Sequence, residues 1–180
     1  MPDVLLISEY DPNWPAQFEE EKASIQVAIG KYVRAIEHVG STSVPGLSAK
    51  AVLDMLIIVH DHTPIPDCVP RLEQLGYEYR GEAGVPGRHF FRKPPLSVSG
   101  FERTHHLHLI DFTDEQGGVE GENQLLFRDY LRRHPEHARD YVRLKQELAA
   151  RLGNDRNGYT DGKTDFVLAT VEKARQEQIL

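Results

Sequence analysis

A single carboxylate interrupts an otherwise apolar stretch of the chain. Asp54 is the one polar residue in Ala51–Val59, whose other side chains are typical of a strand buried on both faces. Burying a carboxylate is costly unless it is paired, hydrogen-bonded or bound to a metal ion. We therefore expect Asp54 to take part in metal or phosphate chemistry. The alternative is that it lies at the end of the strand and forms an ion pair with Lys50 or an arginine.

The segment just before this stretch is rich in small residues. Gly40, Ser41, Thr42 and Ser43 follow one another, and Lys50 lies close behind. Small residues let backbone N–H groups approach an anion, while hydroxyl groups add donors and Lys50 adds positive charge. The segment predicts a phosphate-binding turn, with an ordinary tight loop as the alternative. It is not a P-loop, because the pattern GxxxxGK followed by Ser or Thr occurs nowhere in the chain.

Two histidines alternate along a later stretch with the pattern of a strand. In Thr104–Phe112, His106 and His108 would project from one face, roughly 6.5–7 Å apart, while His105 and Asp111 would project from the other. Neutral imidazoles can hold a zinc, iron, nickel or copper ion. The alternative is that both are half-buried strand residues bonded to their neighbours, unless Asp54 lies on the adjacent strand.

Two helical pairs of residues could add positive charge to the same site. Arg128 and Arg132 are four residues apart, as are Tyr159 and Lys163, so each pair shares a helix face. Paired guanidinium groups suit a phosphate. A solvated helix face, with acidic residues nearby, is the alternative for both pairs.

The surrounding pattern predicts an α/β (α+β) fold with a mixed sheet, helices packed against it and a helical C-terminal third. We expect one domain over residues 1–180, with a sheet core over about 1–118 and a helical part over 119–180. The expected helices are Asp11–Ile36, Asp67–Leu75, Asn123–Arg133, Pro135–Leu152 and Thr160–Gln178. The expected strands are Ile36–Val39, Ala51–Val59, Tyr77–Arg80, Arg88–Lys93 and Thr104–Phe112.

Composition excludes several classes of protein. The chain has 180 residues, 39% of them hydrophobic and 27% charged, which is globular. Lys and Arg number 21 against 28 Asp and Glu, so the net charge of −7 argues against nucleic acid as the main partner. The longest apolar run, Met55–Val59, is far shorter than the ~20 residues of a membrane helix. With Cys68 as its single cysteine, we expect a cytoplasmic protein.

The sequence EHVGSTSVPGLSAK of residues 37–50 resembles the signature of the GrpB family. The similarity continues in the family's order over nearly the whole chain. The other matching segments are Tyr10–Trp14, Phe18, Leu75–Tyr77, His106–His108, Phe127–Arg132, Tyr141, Leu144–Lys145, Tyr159, Lys163 and Phe166.

This resemblance implies a fold similar to the nucleotidyltransferase superfamily, in which a Gly-Ser turn holds a triphosphate and acidic residues hold metal ions. Gly40 and Ser41 match that turn, and Asp54 matches the first acid. Leu56 occupies the second acidic position, and His106, His108 and Asp111 are candidates for a third. The implied cofactor is a divalent ion, Mg²⁺ or Mn²⁺, with a transition metal such as Zn²⁺ better suited to Asp54, His106 and His108.

The leading hypothesis is a protein that binds a nucleotide or another phosphorylated small molecule, with transfer of a nucleotidyl group as its possible reaction and Asp54 as its catalytic residue. The expected phosphate-binding residues are His38, Gly40, Ser41, Thr42, Ser43, Lys50, Arg128, Arg132, Tyr159 and Lys163. One alternative is a non-catalytic accessory domain, related to those fused to dephospho-CoA kinase. Another is a hydrolase with one metal ion on Asp54, His106 and His108.

Overall fold

A five-stranded mixed sheet forms the centre of the fold in the computed structural model, which describes residues 7–95, 97–98, 103–153 and 155–179. Its strands are Val33–Val39 (β1), Leu53–Val59 (β2), Glu78–Tyr79 (β3), Arg88–Lys93 (β4) and His105–Asp111 (β5). Their order across the sheet is β1-β2-β5-β4-β3. β2 and β5 run parallel, whereas the other neighbouring strands are antiparallel.

The register between β2 and β5 determines which polar side chains meet. Asp54 lies opposite His106, and Leu56 lies opposite His108. Side chains alternate between the two faces of a strand, so these four residues project from the same face of the sheet. The condition that the sequence leaves open for the two histidines, namely that Asp54 lies on the adjacent strand, is therefore met.

The main hydrophobic core lies on the opposite face, under helices Trp14–Ile29 (α1) and Ile65–Gln74 (α2). Ile25, Ile29 and Leu72 of these helices are fully buried there. They pack with the apolar side chains of β2 and β5 that alternate with the polar ones, namely Met55, Ile57, Leu107 and Leu109. Burial of each such side chain stabilises the fold by about 1.5–3 kcal/mol. The main contribution of this face of the sheet is therefore to stability.

The C-terminal part is helical and holds the turn after β1. Its helices are Glu115–Arg133 (α3), Pro135–Leu152 (α4), Arg156–Asp161 (α5) and Thr164–Ile179 (α6). Leu131, Tyr141 and Val171 of these helices form a second core with Val44 and Leu47 from the segment between β1 and β2. That segment is thus packed between the sheet and the helices. Among the helices described, none is long and apolar enough to cross a membrane.

The mixed sheet and the helical C-terminal third are confirmed, and β4 and α4 have their predicted bounds. The predicted helix Asp11–Ile36 is too long, because α1 ends at Ile29 and a short 3₁₀ turn leads into β1. Val33 fits the apolar spacing of the helix, yet it pairs with Val59 of β2. Pairing within the sheet therefore overrides the local helical pattern.

Helix α3 begins at Glu115, well before the predicted start at Asn123. The intervening glycines lower helix propensity, but the carboxylate of Asp114 accepts a hydrogen bond of 2.7 Å from the N–H of Gly117 and caps the helix. A Cβ atom at Gly121 would lie 2.9 Å from the ring of Phe112. Close packing of α3 on the end of β5 therefore explains a glycine inside this helix.

The core on the helix-covered face can be tested with one pair of truncations. Leu109→Ala removes a fully buried side chain of β5, and we expect the free energy of unfolding to fall by about 2–5 kcal/mol. Val27→Ala is the control, because Val27 on α1 is 90% exposed, and its effect should stay within about 0.5 kcal/mol. Urea denaturation measures both, and equal effects would contradict this assignment of the core.

Candidate functional site

The turn after β1 lies directly against the side chain of Asp54. Gly40 has φ 68° and ψ −172°, a combination that only glycine adopts without strain. A Cβ atom at this position would lie 2.9 Å from the Cβ of Asp54. Two independent constraints therefore require glycine at this position: the backbone conformation and the closeness of β2.

Two imidazoles converge on Asp54 from β5. Nδ1 of His106 lies 3.0 Å from Oδ1 of Asp54, and Nε2 of His108 lies 3.7 Å from the same oxygen. Phe90 of β4 packs against both rings, with centroid distances of 5.2 and 5.4 Å. The structure thus brings together the three residues that the sequence suggests as one site, and histidines rather than Lys50 are the partners of Asp54.

The environment keeps Asp54 ionised. Burial alone would raise the pKa of the Asp54 carboxyl, but the hydrogen bond from His106 and the nearby His108 imidazole lower that pKa below its usual range. Burial also lowers the pKa of the His108 imidazole, and Asp54 offsets this only in part. At neutral pH the site therefore contains a carboxylate anion beside a neutral His108.

The outer nitrogens of the two imidazoles test whether a metal ion fits here. Nε2 of His106 and Nδ1 of His108 are buried and have no hydrogen-bond partner among the described residues. A histidine that binds a metal ion almost always donates its other N–H to an acceptor, and a metal ion in this position would leave both N–H groups buried without one. If each imidazole instead carries its proton on the nitrogen that faces Asp54, the outer nitrogens of His106 and His108 are unprotonated. Only their lone pairs then lack a hydrogen-bond partner. The arrangement fits a hydrogen-bonded carboxylate better than a metal site.

A two-metal site fits these residues no better. Leu56 is fully buried at the position where a second acid is expected. Asp111 lies at the far end of β5, where its carboxylate accepts hydrogen bonds from the N–H groups of His62 and Thr113, so it is not a third acid of this site. Within the described ranges, no group of three or more His, Cys, Asp and Glu side chains is placed to hold an ion. The divalent metal expected from the sequence stays a prediction that this geometry does not support.

Several of the predicted phosphate-binding residues brace the turn from inside. Nε2 of His38 lies 2.9 Å from the hydroxyl of Thr42, and the His38 ring stacks on Phe18 at a centroid distance of 4.8 Å. The Ser43 hydroxyl donates a hydrogen bond of 2.6 Å to the carbonyl of Gly40. These side chains fix the shape of the turn, so their polar atoms are already engaged within the protein.

The two arginines of α3 brace the same turn from outside. Arg128 donates from Nη1 to Glu37 (2.8 Å) and to the carbonyl of His38 (3.1 Å), and its other nitrogens donate to Asp129. Arg132 donates from Nε and Nη2 to the carbonyl of Ser43, at 3.0 and 2.8 Å. The expected role of this pair in neutralising phosphate stays a prediction, while the guanidinium donors described here bind backbone carbonyls and the carboxylates of Glu37 and Asp129.

Three lysines gather beside the turn and form what we call the lysine cluster, Lys50, Lys145 and Lys163. Nζ of Lys50 and Nζ of Lys163 lie 4.2 and 4.6 Å from the ring centroid of Tyr159. Nζ of Lys145 donates to the hydroxyl of Ser41 (3.1 Å) and to the carbonyl of Ser48 (2.6 Å). In the described parts of the chain, the lysines that form ion pairs with carboxylates are Lys22 and Lys93, not those of the cluster.

The cluster is electrostatically coupled. Burial lowers the pKa of Lys145 to about 7, and repulsion from Lys163 and Lys50 adds to this effect. Burial, followed by repulsion from Lys163, lowers the pKa of Lys50 to about 8. Burial also lowers the pKa of Lys163, while the Asp54 carboxylate opposes the shift at both Lys50 and Lys163. The lysines therefore repel one another at the place where Asp54 and the turn meet.

Lys145 is a site residue that the sequence interpretation misses. It lies on the inner face of α4 and is 97% buried, at helical spacing with Tyr141 and Leu148. A lysine inside such an apolar stripe is the signal that could have found it, because burying an ammonium group without a function is costly. Lys163 is predicted, but it lies at the break between α5 and α6, where one continuous helix is expected from the sequence.

Comparison with known proteins identifies the family. A family model described as "GrpB protein" matches residues 5–173. The chain belongs to the GrpB family. The identification agrees with the resemblance found in residues 37–50 and in the segments that follow them in order.

Relatives of this GrpB chain include proteins that are considerably longer. UPF0157 protein YqkA of Bacillus subtilis is 38% identical over 167 residues, which are 93% of this chain and 46% of YqkA. A UPF0157 protein of Pseudomonas aeruginosa is 40% identical over 174 residues, or 96% of this chain and 68% of that protein. The dephospho-CoA kinase of Mycolicibacterium paratuberculosis is 26% identical, over 91% of this chain and 44% of the kinase. This chain thus spans less than half the length of two of these relatives.

Solved structures support the fold. The crystal structure of the conserved protein GrpB from Enterococcus faecalis has a TM-score of 0.85 and 35% identity, over 97% of this chain and 100% of that one. The structure of Cid1 in complex with its short product ApU has a TM-score of 0.50 and 14% identity, over 77% of this chain and 42% of Cid1. Together with the mixed sheet, these similarities confirm the α+β fold, which the chain shares with GrpB of Enterococcus faecalis and in part with Cid1.

Two glycine variants separate the backbone requirement at Gly40 from the steric one. Gly46→Ala should cost about 1–2 kcal/mol, because Gly46 has φ 78° but a Cβ there would meet nothing within 4 Å. Gly40→Ala should cost more, because about 1–3 kcal/mol of backbone strain is added to the displacement of Asp54. Urea denaturation compares the two, and equal losses would contradict the close approach of turn and carboxylate.

The buried His38 should make stability depend on pH. Burial, together with Arg132 and Arg128, lowers the pKa of His38 from 6.5 to about 4 against the effect of Asp54. The unfolded chain binds this proton near pH 6.5 and the folded chain near pH 4. The stabilisation is therefore complete above pH 6.5, and about 3 kcal/mol is lost as the pH falls to 4.

Unfolding by urea at several pH values between 7 and 4 measures this loss. His38→Gln is the matched variant, because it keeps a polar side chain beside Thr42 and cannot titrate. Its stability should fall less steeply over the same pH range than that of the wild type. An unchanged slope would assign the pH dependence to other groups.

Proposed function

We propose that this GrpB chain binds a nucleotide or another phosphorylated small molecule at the surface formed by Gly40, Ser41 and the lysine cluster. The observation that supports this most directly is the convergence of three half-buried or buried ammonium groups without a carboxylate partner for each. Bringing like charges together inside a protein costs stability. An anionic ligand offsets that cost, so perturbed groups of this kind mark a functional site.

The local charge favours a small anion. The chain as a whole carries −7, so its general field repels a long polyanion such as nucleic acid. The cluster adds local positive charge beside the glycine turn, where Lys145 donates to the hydroxyl of Ser41. Hydroxyl groups, backbone N–H groups and ammonium groups together are the donors that phosphate oxygens accept from.

A nucleotide is the first class of ligand to test. Cid1, whose similarity to this chain extends to the fold, is described in complex with its short product ApU. The relation to dephospho-CoA kinase makes dephospho-CoA and its precursors a second class. In either case the turn would contact the phosphate groups.

A non-catalytic binding domain is the second candidate, and the buried Leu56 is the observation that favours it. Phosphoryl transfer by two metal ions needs clustered carboxylates, and this site supplies Asp54 alone. A turnover assay with labelled ATP or UTP and a hydroxyl acceptor distinguishes the two possibilities. Product that disappears in Asp54→Asn would establish an enzyme and remove this second candidate. A hydrolase with a single metal ion is not supported, because the outer nitrogens of His106 and His108 have no acceptor for the protons that metal binding would place on them.

Binding can be measured as a rise in the melting temperature of the full chain with ATP, UTP, ADP or dephospho-CoA. At 100 times its dissociation constant a ligand stabilises by about 2.7 kcal/mol, which is roughly 5–10 °C for a chain of this size. Lys163→Met should reduce this rise strongly. Lys173→Met is the matched control, because Lys173 is exposed on α6, and it should behave like the wild type.

The screen is run both with Mg²⁺ and with EDTA, so that binding is detected whether or not a metal takes part. A rise with at least one phosphorylated compound, lost in Lys163→Met alone, would support the proposal. No rise with any compound under either condition would remove it.

A further inference from the structure

The turn at Gly40 and Ser41 resembles that of a phosphoryl-transfer site, but the described residues beside it lack the clustered carboxylates that usually hold metal ions there. In such sites divalent ions held by clustered carboxylates neutralise the phosphate groups. Here Leu56 is buried where a second carboxylate is expected, and Asp54 is hydrogen-bonded by His106. If phosphate binds beside Gly40, its charge must therefore be neutralised by other groups.

The lysine cluster occupies a suitable position. Lys145 donates to the hydroxyl of Ser41, the residue after the glycine that lies against Asp54. Lys50 and Lys163 lie close enough to Asp54 for its charge to act on both of them. Lys50 and Lys163 thus lie within the electrostatic reach of Asp54, and Lys145 contacts the turn that packs against Asp54.

We propose that the lysine cluster takes the place of the divalent metal, so that the site binds an oligophosphate, a chain of two or more phosphates, without any metal ion. This inference rests on the proposed function, because it specifies how the same site holds its phosphorylated ligand. It replaces the metal expected from the sequence with side chains of this chain itself.

An oligophosphate suits the cluster better than a single phosphate. Lys145 is tied to the turn through Ser41 and Ser48, whereas Lys50 and Lys163 flank the ring of Tyr159. The cluster therefore has two anchoring points on different elements, and a ligand that reaches both must be extended. Three ammonium groups against one carboxylate also favour the anion of higher charge.

Calorimetric titration of the full chain with inorganic phosphate, pyrophosphate and tripolyphosphate tests this inference. Each titration is made in EDTA and again in excess Mg²⁺. We expect tripolyphosphate to bind in EDTA, more tightly than pyrophosphate and much more tightly than phosphate. Mg²⁺ should not strengthen binding, because it competes with the lysines for the same oxygens.

Lys145→Met and Lys163→Met should each weaken binding of tripolyphosphate in EDTA by roughly tenfold or more. Lys173→Met should leave the affinity unchanged. Removing a poorly compensated buried charge should not lower the melting temperature of the free protein, and Lys50→Met provides the same test if Lys145→Met fails to fold. An equal loss of affinity in Lys173→Met would overturn the inference, since general charge would then explain the binding.

The outcomes separate this inference from the proposed function. Tripolyphosphate or nucleotide binding that requires Mg²⁺ and vanishes in EDTA would overturn the inference and leave the proposed function standing. Binding of a phosphorylated compound that does not involve the cluster lysines would also overturn it. Failure of every phosphate compound under both conditions would remove both proposals.

Discussion

The parallel pairing of β2 with β5 is the constraint on which the site depends. It places Asp54 opposite His106, and the alternation of side chains then sets the helix-covered core on one face and the polar residues on the other. A shift of this register by one residue would turn the carboxylate into the main core. The register is held by Met55, Ile57, Leu107 and Leu109 of the same two strands, because each is fully buried in the core under α1 and α2. The packing of apolar side chains on one face of the sheet thus also determines which polar side chains meet on the other face.

Polar groups near the turn fall into two kinds, and the difference between them suggests where a ligand contacts the protein. The guanidinium groups of Arg128 and Arg132 and the ring of His38 are satisfied by partners within the chain, so they give the turn its shape. The lysine cluster is held by a few neutral oxygens and by the ring of Tyr159, and the Asp54 carboxylate compensates its charge only in part. A turn held in shape by its own hydrogen bonds, next to lysines whose charge is not balanced, can bind an anion without rearrangement of the protein.

Much of this could be predicted from the sequence, and the exceptions have physical causes. Asp54 and the two histidines were recognisable, because a lone carboxylate and alternating imidazoles stand out in apolar strands. The roles of Arg128 and Arg132 could not be separated from those of the lysines, because helical spacing shows a shared face and not what that face meets. Lys145 stands out among apolar neighbours on α4, but its role could not be predicted because its partners lie about a hundred residues earlier in the chain. The end of α1 depended on strand pairing, which no local pattern contains.

The separation of the cluster along the chain has one further consequence. Lys50 precedes β2, Lys145 belongs to α4 and Lys163 precedes α6, so the three meet only when the C-terminal helices dock on the sheet. Docking therefore works against electrostatic repulsion, which dissolved ions screen over about 8 Å at physiological ionic strength. Salt should therefore reduce the repulsion among the three lysines, whereas it weakens the ion pair that joins Arg128 of α3 to Glu37 of β1. The ionic strength of the solution should therefore affect how firmly the C-terminal helices dock on the sheet.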